Sequence, residues 1–323
     1  MLCWSTACVE SLVGLADSVP QPAQPELSTK AKRMLKNSVF LFGPGRSGTT
    51  IFYRVLASHP ALGWISNYNE LLPKYPSVAA LSRIRHVDSW SRKRGRISRV
   101  LPTPKEALAV PRTITAGHFQ VSKIIDRENI DADAVDRYQD YLSRLLSWQG
   151  RSRLVHKHTG FARLHFLSRV DSTARYIRII RDGRAVVNSL LNVDWWDGSM
   201  ESWWWDDMSQ DYSDEYERNG KSKESLAAIS WKTMHDLQDV EIEQNPELPL
   251  MTVTYSDFVS NAVDIMREVC EFSGLDFSAE FQQNIQKFSL TDNDMKWQQQ
   301  LTKEQQDYLN ESLSQHLARY GLA

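Results

Sequence analysis

Long apolar runs are missing from this 323-residue chain, and so is any strong excess of charge: 38 Lys and Arg stand against 40 Asp and Glu, a formal net charge of −2. A near-neutral chain sets up no global field to gather nucleic acid or an anionic membrane surface. Any anion it handles has to be held by local chemistry. Cysteine is also scarce. Cys3, Cys8 and Cys270 are odd in number and have no metal-ligand spacing, which argues against a disulfide framework or a bound metal and fits a reducing compartment. Residues 1–16 are mildly apolar but include Glu10, are too short to span a bilayer and lack a basic start. The expectation is a soluble, cytoplasmic protein with no membrane span and no nucleic-acid partner. No internal repeat or low-complexity tract is present.

What is there is an ordinary globular composition, 41% hydrophobic and 24% charged, long enough to bury a sizeable core. Three prolines in residues 18–26 (SVPQPAQPE) mark an extended linker. Residues 1–36 are thus expected to be a flexible tail, and 37–323 one domain with helical and tryptophan-rich insertions. Residues 38–42 (SVFLF) read as a buried strand, and apolar residues at helical spacing follow over 49–58. Strand, glycine loop and helix recur at 176–180 (YIRII), Arg-Asp-Gly-Arg and 185–191. Further strands are expected at 153–156 and 250–254, each followed by a helix, over 161–170 and 263–272. This alternation predicts an α/β fold with a mainly parallel central sheet flanked by helices on both faces.

Gly43 and Gly48 stand five apart, the spacing of a phosphate-binding loop whose backbone N–H groups and helix N-terminus surround an anion. An NTPase loop places Lys after the second glycine, ahead of the Ser or Thr that binds magnesium, and here that position is Thr49. The cation sits earlier: Gly45 is followed by Arg46, Ser47, Gly48, Thr49 and Thr50. This run resembles the 5′-phosphosulfate loop of sulfotransferases, whose core is Arg or Lys and then Ser-Gly-Thr-Thr. Those enzymes carry a second motif, Arg at a strand end and Ser eight residues on, that holds the 3′-phosphate of the donor. Arg181 and Ser189 match it, and Asp182 suits the N-cap of the helix between them.

The likeness runs from Ser38 to about Tyr320 and is greatest to the branch holding tyrosylprotein and some carbohydrate sulfotransferases. It implies the P-loop sulfotransferase fold, with 3′-phosphoadenosine 5′-phosphosulfate (PAPS) as donor, PAP as product, no required metal, and a hydroxylated acceptor: a carbohydrate, another small molecule or a lipid. Glu70 stands where the family often has an acidic residue, and is expected as general base. Lys157 matches a functional lysine and, with Arg46, would stabilise the bridging oxygen of the departing phosphate. His158 and His118 are rival bases. Tyr255-Ser256-Asp257-Phe258 resembles an element after the last core strand, and Lys296-Trp297 the late segment that closes over the donor.

Competing readings remain a P-loop kinase or NTPase and a non-catalytic nucleotide-binding protein of the same fold. Two segments carry no decided role. The arginine-rich stretch 83–99 is either a solvated face or a surface that meets an anion. Trp195, Trp196, Trp203, Trp204 and Trp205 either pack an irregular insertion or border the acceptor.

Overall fold

The computed structural model describes residues 35–84, 87, 90, 100–119, 125, 127–203 and 207–323. The proline-rich segment, Cys3, Cys8, most of the arginine-rich stretch, Trp204 and Trp205 lie outside the described residues.

Five parallel strands form the central sheet: β1 (Val39–Gly43), β2 (Leu62–Gly63), β3 (Arg153–Thr159), β4 (Arg175–Ile180) and β5 (Leu250–Thr254), in the order β2-β3-β1-β4-β5. Three strands lie within a residue of their expected bounds. β3 runs three residues further, so that Lys157 belongs to the strand rather than to the loop after it. The two-residue β2 carries too short an apolar pattern to be read in advance.

Among the described residues the α-helices with defined bounds are α1 (Thr49–Ala57), α2 (Asn67–Leu71), α3 (Ala109–Ile114), α4 (Ala132–Gln149), α5 (Leu164–Val170), α6 (Gly183–Leu191), α7 (Gln210–Arg218), α8 (Lys223–Glu243), α9 (Tyr255–Ser260), α10 (Ala262–Ser273), α11 (Ala279–Gln286), α12 (Trp297–Gln300), α13 (Lys303–Ser312) and α14 (Ser314–Arg319).

Strand alternation sends successive side chains of β1 to opposite faces. Phe40 and Phe42 join the core beneath α4 and α5, whereas Val39 and Leu41 join Phe52, Val55 and Leu56 of α1 and Met266 and Val269 of α10. A third apolar cluster joins α6 and α8 to α13, through Val187, Trp231 and Leu309. Both sheet faces are therefore covered, as continuous burial of parallel strands requires.

The chain leaves β1 toward one edge, returns through β3, and crosses to β4 on the other side of β1. Such a reversal opens a crevice at the carboxyl ends of the strands. The loops after β1, β3, β4 and β5 all begin there.

Candidate active site

The loop after β1 needs both of its glycines. A Cβ on Gly43 would lie 2.4 Å from the carbonyl oxygen of Ile179, so only glycine lets β1 and β4 approach this closely. Gly48 caps α1 with φ of 80°, and a Cβ there would run into the Tyr255 ring at 2.2 Å. Arg46 also has positive φ, 67°, which turns its carbonyl toward Arg181 and its side chain toward α6.

Arg181 Nη1 donates to the Arg46 carbonyl at 2.9 Å, and Arg46 Nε donates to Ser189 Oγ at 3.0 Å. The two motifs, separated by more than a hundred residues, thus meet in one crevice. Arg181 is buried, lies over the Tyr255 ring at 4.3 Å and pairs with Asp294 through a 2.6 Å contact. Burial first, and the charge of Arg181 second, lower the pKa of Arg46. Two guanidinium groups drawn together in this way favour an anion between them. Burial also raises the Asp294 carboxyl; Asp292 and Asp182 add to it, and together they outweigh the opposing pull of Arg181.

Inside the loop, Ser47 Oγ is fully buried and has no hydrogen-bond partner among the described residues. A buried hydroxyl left unpaired is costly. With the glycine-shaped backbone and the N-terminus of α1 around it, the loop fits an anionic oxygen. Asp182 caps α6 by accepting from Arg184 N at 2.8 Å, which aims the positive end of that helix at the same crevice.

Lys157, on β3, points to the α1 side of the sheet. Its Nζ donates to Thr159 Oγ1 at 2.8 Å and to Thr50 Oγ1 at 3.4 Å, and pairs with Glu106 Oε2 at 2.6 Å. Glu106 also accepts from the Thr159 hydroxyl at 2.7 Å and from the Thr159 amide. Burial alone would raise the Glu106 pKa, but the Lys157 charge and the hydrogen bonds from Lys157 and Thr159 hold it below the usual carboxylate range.

The carboxylate in contact with Lys157 is therefore Glu106 and not Glu70. Glu70 lies on α2, where it accepts from Ala109 N, at the start of α3, at 3.2 Å and stands 3.9 Å from Lys105. Backbone pairing explains the arrangement: Lys105 N donates to Ile65 O at 2.9 Å and Asn67 N to Thr103 O at 3.1 Å. Residues 103–105 thereby run beside the chain leaving β2 and carry Glu106 over β3, where His156 Nε2 meets the Glu106 carbonyl at 2.7 Å. The sequence signal for Glu106 is slight, since its partners lie about fifty residues downstream.

His158 follows Lys157 and so faces the other side of the sheet, packed among Phe40, Phe119 and His156. Burial first, then the neighbouring His156, Arg163 and Lys157, push its pKa well below the ordinary histidine value, so the ring is neutral. His118 accepts from Asp131 N at 3.4 Å and packs on Phe166. Neither histidine touches the Lys157 cluster.

In the late segment, Lys296 is exposed, while Trp297 is buried beneath the Arg184 guanidinium at 4.8 Å. The side chain from this segment that reaches the crevice is Asp294. The tryptophan-rich insertion divides: Trp196 is buried in the third core cluster and Trp203 packs against it, whereas Trp195 is 55% exposed. Asp197 holds the turn, accepting from Ser199 N at 2.9 Å and from Ser202 Oγ at 2.8 Å.

A family model described as "Sulfotransferase family" matches residues 38–279, three quarters of the chain and all of this crevice except Asp294 and the segment around it. The chain belongs to the sulfotransferase family. This sulfotransferase resembles in fold the solved sulfotransferase STF9 of Mycobacterium avium, with a TM-score of 0.52, 13% identity, and coverage of 88% of this chain and 77% of that one. Mouse sulfotransferase SULT7A1, solved in complex with PAP, aligns with a TM-score of 0.40 and 13% identity over 95% of this chain and 89% of its own. No protein of curated function matches the chain in sequence. The family makes the protein an enzyme of sulfuryl transfer. Among the described residues no helix is long and apolar enough to cross a membrane.

Proposed function

We propose that this sulfotransferase takes its sulfuryl group from PAPS and delivers it to an acceptor hydroxyl by in-line displacement at sulfur. The observation that carries the reading is the convergence of Arg181, Arg46 and Ser189, through contacts of 2.9 and 3.0 Å, beside the buried Ser47 hydroxyl. Two anion-binding motifs in one crevice suit a nucleotide that is charged at both its 5′ and 3′ positions. Gly45 to Thr50 would hold the 5′-phosphosulfate, and Arg181 with Ser189 the 3′-phosphate. Asp294 would have to yield Arg181 to that phosphate, which its raised pKa favours. Trp297 would brace the site from beneath Arg184, and Lys296 would meet the nucleotide from the rim.

At the reacting centre Lys157 would neutralise charge growing on the bridging oxygen, with Thr50 beside it. An acceptor hydroxyl needs a group to take its proton. Glu106 suits this task better than Glu70, because it is ionised and already in contact with Lys157 and Thr159. The scarcity of cysteine, with Cys270 a buried free thiol, supports a reducing compartment such as the cytoplasm.

The test pairs two measurements on the full chain. PAP should bind more tightly than adenosine 5′-phosphate by calorimetry, and incubation with 35S-labelled PAPS and hydroxylated compounds should yield a labelled product. Equal affinity for the two nucleotides would remove the donor assignment.

A further inference from the structure

Next to the phosphate loop the molecule has a pocket of about 220 Å³, lined on one side by Gly45, Arg46 and Thr159. Thr159 is the residue that bridges Lys157 and Glu106, so the pocket opens onto the reacting centre. Of the residues suited to the donor's phosphates only Gly45 and Arg46 line it; Ser47, Thr49, Thr50, Arg181 and Ser189 do not. It meets the loop only at residues 44–46. The pocket is therefore on the acceptor side of the site rather than the nucleotide side.

Its far wall is apolar and aromatic. Leu190 comes from α6, Trp195 and Trp196 from the tryptophan-rich insertion, and Trp231 and Met234 from α8. Among the described residues Arg46 is the one charged side chain in the lining, at the end nearest the donor, and the other polar side-chain groups are the hydroxyls of Thr159, Ser202 and Ser230 and the indole N–H groups of the three tryptophans. A sugar ring presents several hydroxyls, each of which pays to leave water unless a partner meets it, and a few hydroxyls and donor-only indole N–H groups spread along an apolar wall cannot meet them all. An acidic peptide would find no cation beyond Arg46 among the described lining residues. An apolar cavity of about 150 Å³ holds a benzene ring, so this one takes a single substituted ring or a short branched chain.

We infer that the acceptor is a small, uncharged, predominantly apolar alcohol or phenol, its hydroxyl directed at Thr159 and its carbon frame against Trp195, Trp196 and Leu190. The inference rests on the donor reading above and names the substrate class for that same site. In the transfer the acceptor oxygen forms the new O–S bond, the bond from sulfur to the phosphate oxygen breaks with its electron pair leaving on PAP, and the hydroxyl proton passes to the base.

The experiment uses the full chain with 35S-labelled PAPS and three acceptor sets: alkyl-substituted phenols and short branched alcohols; glucose and N-acetylglucosamine; and an acidic tyrosine peptide. Label is expected in the first set, with kcat/KM rising about three- to fourfold for each added methylene that the pocket can cover. Trp195→Ala should raise KM for the phenol severalfold, and Leu190→Trp, which narrows the pocket, should do so more strongly for the bulkier members. PAP affinity is measured on both variants and should stay near that of the native protein, which separates a changed pocket from a misfolded one. Label in the sugars or peptide, or in none of the first set while PAP still binds, overturns the inference. Loss of PAP binding in the native protein would instead overturn the donor reading.

Discussion

Arg46 Nε donates to Ser189 Oγ at 3.0 Å across 143 positions of chain, and this contact turns two separate motifs into one site. It holds the phosphate loop against α6, and the Arg46 carbonyl in turn orients Arg181. On the proposed reading, one crevice then receives both anionic ends of the donor.

Arg181→Ala should weaken PAP binding by roughly 10- to 100-fold, the range for a lost charge-assisted hydrogen bond, and adenosine 5′-phosphate binding far less. Ser189→Ala should cost about fivefold, as a neutral hydrogen bond would. Calorimetry with both nucleotides separates the positions, and an equal loss for both ligands would detach Arg181 from the 3′-phosphate.

Glu106→Gln should lower kcat by about 100-fold or more while PAP affinity stays near normal, since a general base acts on the acceptor and not on the nucleotide. Glu70→Gln should leave kcat within a few-fold, its carboxylate serving the start of α3. The reverse ranking would return the role of base to Glu70. Because Glu106 is held below the usual carboxylate range, activity should persist at mildly acidic pH and fall only when that group protonates. His158, buried neutral on the opposite face, should leave no limb near its ordinary value in the pH–rate profile.

Lys157→Met should reduce kcat by about 100- to 1000-fold, through the lost charge at the bridging oxygen. It should also destabilise the fold, because removing one member of a buried pair costs about 3–5 kcal/mol when the other charge stays behind. Glu106 gives the sign of the pH dependence. Its folded pKa lies below its unfolded value of about 4.3, so its contribution is complete above that pH and is lost as pH falls through the folded value. The variant's stability deficit, followed by denaturant melts, should shrink over that acidic window; a deficit independent of pH would mean that the pair is not its source.

Gly48→Ala should abolish PAP binding and lower Tm, because alanine is strained at φ of 80° and its methyl would strike the Tyr255 ring. Gly43→Ala should be worse for folding, since the opposing atom is the Ile179 carbonyl oxygen, fixed by β4, rather than a ring able to swing. Circular dichroism melts with and without PAP distinguish the two.

The phosphate loop, α1, and the strand-turn-helix around Arg181 were legible in advance because each is specified by neighbours in the chain. Glycine spacing, a cap at Asp182 and apolar periodicity are local quantities. β3 extends three residues beyond its apolar start, and this has a consequence: with Lys157 inside the strand, alternation sends Lys157 and Thr159 to one face and His156 and His158 to the other. The tryptophans read as a single feature separate in space, Trp196 into the core and Trp195 onto the pocket.

Sequence alone was enough for the α/β class, the parallel sheet and the glycine-shaped turn after β1, since these follow from backbone freedom and periodicity over a few residues. Which carboxylate faces Lys157, where Asp294 meets Arg181, and what lines the pocket beside the loop were decided by the tertiary structure. Those contacts join residues some 50 to 140 positions apart. Their geometry comes from strand order and from the pairing of residues 103–105 beside β2, neither of which is written in any one stretch of chain.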